Sequence, residues 1–284
     1  MTCHHPFIKQ HKGETLALQC GKCPLCKKRR IDQWVFRIRH EQKHSISSHF
    51  VTLTYAPEYL PKTPRNLGTL KKAELQTFFR RLREYEKQSG NTRIIKYFGA
   101  GEYGSETKRP HYHIVLLNVL DAKNIYKAWS KKRQLKGNID IGTITRDSIA
   151  YCIKYIDKFC HIGYAKSDQR ERQFQLFSKG IGSKYLTAQQ KLYHRNNPLK
   201  NFVQSVDGHK IGMPRYYAKS IWDTEELKES RRKILVNHLE EKEKQNRIKY
   251  ELKYNHCYDQ YLNLKIKKEK RNFKLLQINK RNKI

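Results

Sequence analysis

The chain runs to 284 residues and carries 60 Lys and Arg against 26 Asp and Glu, a formal charge of +34. That length allows one or two domains with a real core, and the charge selects polyanions, nucleic acid first, held through counterion release. No apolar run is long enough to span a bilayer and the N-terminus lacks the apolar centre of a secretory signal, so no membrane partner is expected and a cytoplasm is the expected compartment. Seven cysteines in such a chain argue for thiols or metal rather than disulfides.

The first patterned stretch holds Cys20, Cys23 and Cys26 at C-x2-C spacing, with Cys3, His4 and His5 upstream. A tight turn brings two such thiolates to one ion. A four-ligand Zn²⁺ site would take Cys3 as its fourth member, with His4 or His5 as substitutes. Free buried cysteines and an iron–sulfur cluster are the competing readings. Ile31, Trp34, Val35 and Ile38 then recur at helical spacing, and Lys27, Lys28, Arg30 and Arg37 make the other face basic.

The segment from His49 to Tyr55 alternates apolar and hydroxylated residues and reads as a strand ended by Pro57. A loop runs to Gly68, and Leu75, Phe78, Phe79 and Leu82 mark an amphipathic helix ending near Ser89 and Gly90. A second strand from Arg93 turns through Gly101, Glu102, Tyr103 and Gly104 into the stretch Arg109 to Leu117, and the two are expected to pair as an antiparallel hairpin. On that last strand residues i and i+2 share a face, so His111 and His113 project side by side and can hold one divalent metal. Tyr112, Ile114 and Leu116 point into a core. Glu102 lies close enough across the hairpin to serve as a carboxylate ligand, although as an exposed hairpin residue it would be unremarkable.

A helix around 122–132 and a strand at 139–144 lead to a helix capped by Asp147 or Ser148. Ile149, Ile153, Ile156 and Cys160 form one stripe; Tyr151, Lys154, Tyr155 and Lys158 form the opposite one. Ordinary interface tyrosines would look the same, but ammonium groups or a metal beside a phenol favour the phenolate, a usable nucleophile. Beyond it lie Lys179 in a flexible basic Gly-Ile-Gly turn, and Arg215 with Tyr216, suited to stacking on bases or to plain core packing. From Thr224 onward glycine and proline vanish and charges dominate, which predicts a long helical tail with an almost purely basic end. No P-loop pattern occurs.

The ordered set resembles the HUH-type rolling-circle replication initiators, and more closely the replication initiator family of gokushoviruses, small single-stranded DNA phages. It rests on CGKC-x-x-C followed by Trp34 and Arg37, the FVTLTY strand, GEYG before RPHYH, the Tyr151-x-x-Lys154-Tyr155 helix, the GIG turn and the PRYY segment. The likeness spans roughly residues 3 to 217 and says little about the tail.

The resemblance implies an α+β fold, a central antiparallel sheet carrying the HxH strand with helices packed on one face. It adds a Cys-rich segment over 1–45, an endonuclease domain over 46–222 and a lysine-rich helical tail over 223–284. It implies that Tyr151 or Tyr155 attacks a DNA phosphate to leave a 5′-phosphotyrosine link and a 3′-hydroxyl. Mg²⁺ or Mn²⁺ would sit on His111, His113 and Glu102, and Lys154 would neutralise the nucleophile or the phosphate. Arg109, Lys158, Lys179, Arg215 and Tyr216 are the expected DNA contacts. The expected partners are single-stranded or supercoiled phage origin DNA with a host helicase and polymerase, in the cytoplasm of a bacterial host. Two rivals remain. One is a zinc-containing nucleic-acid-binding protein without chemistry; the other, a nucleotide hydrolase with a histidine-rich strand, wants a further histidine where Val115 stands.

Overall fold

The computed structural model describes the chain except residues 1–2, 4–5, 12–13, 155–160, 206–207, 255–256, 266, 269–270 and 272–284. It divides into two compact units, one of residues 29–185 and the other of 1–28 with 186–284. The second unit opens on an antiparallel hairpin of β1 (Phe7–His11) and β2 (Glu14–Leu18), with Phe7 opposite Leu18. Helix α1 (Pro24–Gln42) follows, with proline at its first position, where the missing N–H costs nothing.

The 29–185 unit is built on β3 (Ser48–Leu53), β4 (Lys96–Tyr103), β5 (Pro110–Leu117), β8 (Ile139–Gly142) and β9 (Phe174–Phe177). These form one antiparallel sheet in the order β8-β3-β5-β4-β9. The expected hairpin is present, with Glu102 opposite His111 and Ala100 opposite His113. Between β3 and β4 runs α2 (Lys72–Gln88), which stops at Ser89 because Gly90 takes a φ of +80°, a conformation natural to glycine at a helix end.

Alternation along β5 sorts its residues as the sequence predicts, yet both faces are covered. Tyr112, Ile114 and Leu116 join Val51 and Leu53 of β3 in a core against Leu75, Phe78, Phe79 and Leu82 of α2. Ile125 and Ala128 of α3 (Lys123–Ala128), followed by Trp129, complete that layer. On the histidine face Val115, Leu117 and Phe98 pack against Val35 and Ile38 of α1 and against Ile149, Cys152 and Ile153 of α4 (Arg146–Lys154). The expectation of helices on one face is therefore corrected. Only the His111 end of that face is polar; the rest of it is apolar and must leave water.

Two further readings change. The helix expected over 122–132 ends at Ala128, and β6 (Ser130–Lys131) pairs with β7 (Gln134–Leu135) through Lys132 and Arg133. Both turn residues have positive φ, 49° and 64°, as a two-residue hairpin turn demands. The Gly-Ile-Gly turn is anchored rather than loose. Ile181 is buried, its carbonyl accepts from Arg37 Nε at 3.0 Å, and Gly182 donates to the Glu41 carboxylate at 2.7 Å.

The rest of the other unit comprises α5 (Ala188–Asn196), a hairpin of β10 (Phe202–Gln204) with β11 (Lys210–Gly212), α6 (Arg215–Ile221) and α7 (Glu225–Tyr254). Tyr217, Ile221 and Trp222 are buried, whereas α7 buries none of its described residues, as its charged composition predicts.

Candidate active site

Strand alternation and the β4–β5 register place three ligand-type side chains together at the polar end of the sheet. His111 Nε2 lies 2.6 Å and His113 Nε2 3.3 Å from Glu102 Oε1. One ligand atom from each of the three lies within 4.8 Å of the others. Glu102 and His113 are buried, and Glu102 Oε2 has no hydrogen-bond partner among the described residues.

The outer nitrogens decide what the inner ones can do. His111 Nδ1 sits 3.1 Å from the Arg109 carbonyl oxygen. A carbonyl only accepts, so Nδ1 carries the hydrogen and a neutral ring turns its Nε2 lone pair toward the carboxylate. Two acceptors 2.6 Å apart need a cation between them, a proton or a metal ion. His113 Nδ1 meets Thr52 Oγ1 at 3.1 Å, which aims its Nε2 at the same carboxylate. Burial opposes the charge on Glu102, but the hydrogen bonds and charges of His111 and His113 outweigh it and hold its carboxyl below the ordinary range. An ionised carboxylate with an open oxygen and two aimed imidazoles fits a divalent cation with hard-to-borderline preference.

Helix α4 lays Tyr151 beside this group. Its ring meets His113 edge-on at 4.9 Å, and it is 42% exposed, open enough to meet a polymeric substrate. Ile149 and Ile153 are buried on the opposite stripe, as the periodicity requires. Tyr155 and Lys158 lie outside the described residues, as does the side chain of Lys154, the last residue of α4.

The remaining expected DNA contacts are not members of this cluster. Arg109 precedes β5, exposed, with its guanidinium donating to the Tyr55 carbonyl. Lys179 is exposed just after β9. Arg215 is exposed and Tyr216 half-buried at the start of α6, in the other unit.

Thr52 and Phe50 are not legible as site residues in the sequence. Thr52 faces His113 across β3 and β5, and the Phe50 ring stacks 5.7 Å from the His113 ring at an interplanar angle of 14°. The only signal is the hydroxylated alternation of β3, which fixes a face but not a neighbour.

A second group forms in the other unit. Cys3, Cys20, Cys23 and Cys26 gather with sulfurs within 4.8 Å of one another. Amide hydrogens of Cys23 and Lys22 draw the Cys20 thiol down to about 6, while burial and the Cys23 thiol push Cys26 up to about 12. His4 and His5 lie outside the described residues.

A family model described as a replication-associated protein of the ORF2 kind matches residues 48–160, which span β3, the metal-type cluster and α4. The chain is 28% identical over 239 residues to replication-associated protein ORF2 of Spiroplasma virus 4, covering 77% of this chain and 74% of that protein. It is 29% identical over 219 residues to replication-associated protein VP4 of Bdellovibrio phage phiMH2K, 72% of this chain and 67% of the relative. Replication-associated protein ORF4 of Chlamydia phage 1 is 24% identical over 228 residues, 73% of this chain and 54% of the relative. No solved structure matches. Among the described residues no helix is long and apolar enough to cross a membrane.

Proposed function

We propose that this chain, whose likeness to three phage replication-associated proteins supports a gokushovirus-type replication initiator, nicks and rejoins single-stranded origin DNA through a tyrosine, in the HUH manner. The observation that carries the reading is Tyr151 standing edge-on to His113, 4.9 Å away, over the Glu102, His111 and His113 cluster. A cluster without a nucleophile beside it would support binding as well as chemistry.

Glu102, His111 and His113 hold Mg²⁺ or Mn²⁺, with two imidazoles tilting the choice toward Mn²⁺. Such an ion, when bound, polarises the scissile phosphate and offsets its developing charge. The chain's own groups do the rest. The phenolic oxygen of Tyr151 attacks phosphorus and forms the 5′-phosphotyrosine bond. The bond to the 3′-oxygen breaks, and that oxygen leaves as a hydroxyl with the proton the phenol gives up. Lys154, on the tyrosine stripe, favours the phenolate or neutralises the phosphate. Arg109, Lys158, Lys179, Arg215 and Tyr216 hold the strand. Tyr155, one helical turn on, makes the second transfer when the regenerated origin must be cut while Tyr151 is still joined to DNA. The 3′-hydroxyl then primes a host polymerase, with a host helicase opening the duplex. In this reading residues 46–222 carry the endonuclease, 1–45 the Cys-rich segment and 223–284 an accessory tail.

Single-stranded DNA bearing the cognate origin, incubated with Mn²⁺ and run on a denaturing gel, tests it. Tyr151→Phe and Tyr155→Phe should each still form a protein–DNA adduct, and the double variant none. His111→Ala or His113→Ala should stop nicking yet retain DNA, since affinity comes from distributed charge. An adduct in the double variant would place the nucleophile elsewhere. Binding without any nick under every metal tried would favour the non-catalytic, zinc-containing binding protein.

A further inference from the structure

The cysteine group takes no part in strand transfer, and its geometry points to a second metal. We propose that Cys3, Cys20, Cys23 and Cys26 bind one Zn²⁺ as a closed tetrathiolate that staples the N-terminal hairpin to the first turn of α1.

Sulfur spacing separates the candidates. Four thiolates about 2.3 Å from a central ion stand about 3.8 Å from one another in a tetrahedron. Here Cys3 Sγ lies 3.8 Å from Cys23 Sγ, and Cys20 Sγ lies 4.0 Å from Cys26 Sγ. A disulfide would bring a pair to about 2.05 Å, and none of these four cysteines forms one. A multi-iron cluster puts several atoms between its thiolates and would spread them well beyond the observed 4.8 Å limit. The cage has room for a single ion.

The backbone is arranged for thiolates. The Cys23 amide donates to Cys20 Sγ at 3.2 Å and the Cys20 amide to Cys3 Sγ at 3.3 Å. Charge-assisted contacts of this kind stabilise a deprotonated sulfur. Gly21 takes a φ of +69°, which lets the chain double back inside the C-x2-C turn. The ligands come from three places: Cys3 ahead of β1, Cys20 and Cys23 in the turn after β2, and Cys26 inside α1. Cys3 and Cys20 bracket the hairpin at its open end, so an ion joining them closes it. A two-stranded hairpin is marginal alone in water, and metal binding supplies folding free energy directly. Four protein ligands leave no position for substrate, which makes the role structural.

Metal analysis of the full chain, purified without chelator or added metal, tests the site. About one zinc per chain should survive dialysis, be lost in Cys23→Ser and Cys26→Ser, and persist in His111→Ala and His113→Ala. Replacing zinc by Co²⁺ in the unmodified chain should give intense near-ultraviolet sulfur-to-cobalt bands with tetrahedral visible bands, a readout that needs no variant to fold. Iron in place of zinc, an octahedral cobalt spectrum, or cysteines paired as disulfides in non-reducing mass spectrometry would overturn the proposal. Because nicking is not the readout, failure here leaves the strand-transfer reading standing.

Discussion

His113 works only as well as the groups behind it. Its Nδ1 rests 3.1 Å from the Thr52 hydroxyl while Phe50 stacks on its ring, so tautomer and orientation are set from β3 rather than from its own strand. Outer partners of metal-binding histidines commonly contribute about 10- to 100-fold in affinity. Thr52→Val should therefore weaken Mn²⁺ binding by about tenfold or more in a calorimetric titration, and Thr52→Ser should restore it. Equal affinities for all three proteins would reduce Thr52 to a packing residue. The histidines announce themselves by spacing. Thr52 does not, because its partner is 61 residues away in sequence.

At the scale of elements, the segment that returns the chain to β9 is held by one carboxylate. Asp168 accepts from Arg170 Nε and Nη2, each at 2.9 Å, and from the Gly163 amide at 2.9 Å. Gly163 has a φ of +78° and its Cβ position would fall 2.6 Å from the Arg170 carbonyl oxygen, so the turn accepts glycine alone. The Arg170 hydrogen bonds first, then the Gly163 amide, hold the Asp168 carboxyl well below the usual range. A carboxyl depressed in the folded state stabilises the fold above its unfolded value near about 3.9, and that contribution disappears as pH falls through the folded value. Asp168→Asn should lower the thermal midpoint at pH 7, with the gap to the unsubstituted chain narrowing toward about pH 3. A gap that stays constant with pH would mean the loss is steric. Elements with strong periodicity, α2 and the β4–β5 hairpin, are legible in the sequence. The β6–β7 hairpin is hidden because Lys132 and Arg133 occupy left-handed positions that carry no glycine or asparagine signal.

For the molecule as a whole, the charge of +34 is the largest single term in any encounter with nucleic acid. Helix α7 contributes to it with no buried residue among those described. Arg231 anchors its start, its guanidinium 3.7 Å over Trp222 and donating to Asn201 at 2.6 Å. Removing residues 240–284 leaves those interactions in place and should flatten the salt dependence of single-stranded DNA binding. Every phosphate no longer neutralised takes about 0.7 from the log–log slope. An unchanged slope would assign the tail to another partner, such as a protein.

Charge, strand and helix periods, the C-x2-C turn and the tyrosine stripe are properties of neighbouring residues, and the sequence alone determined them. A period of two puts His111 and His113 on one face in any fold that makes the strand. What covers that face is a property of distant segments. Thr52 opposite His113, α1 and α4 closing over Val115 and Leu117, and Cys3 meeting Cys23 all join residues that chain connectivity leaves independent. Only packing both faces of β4 and β5 out of water at once selects the partners on the sheet, and only the meeting of four sulfurs selects Cys3, so the tertiary structure decided them.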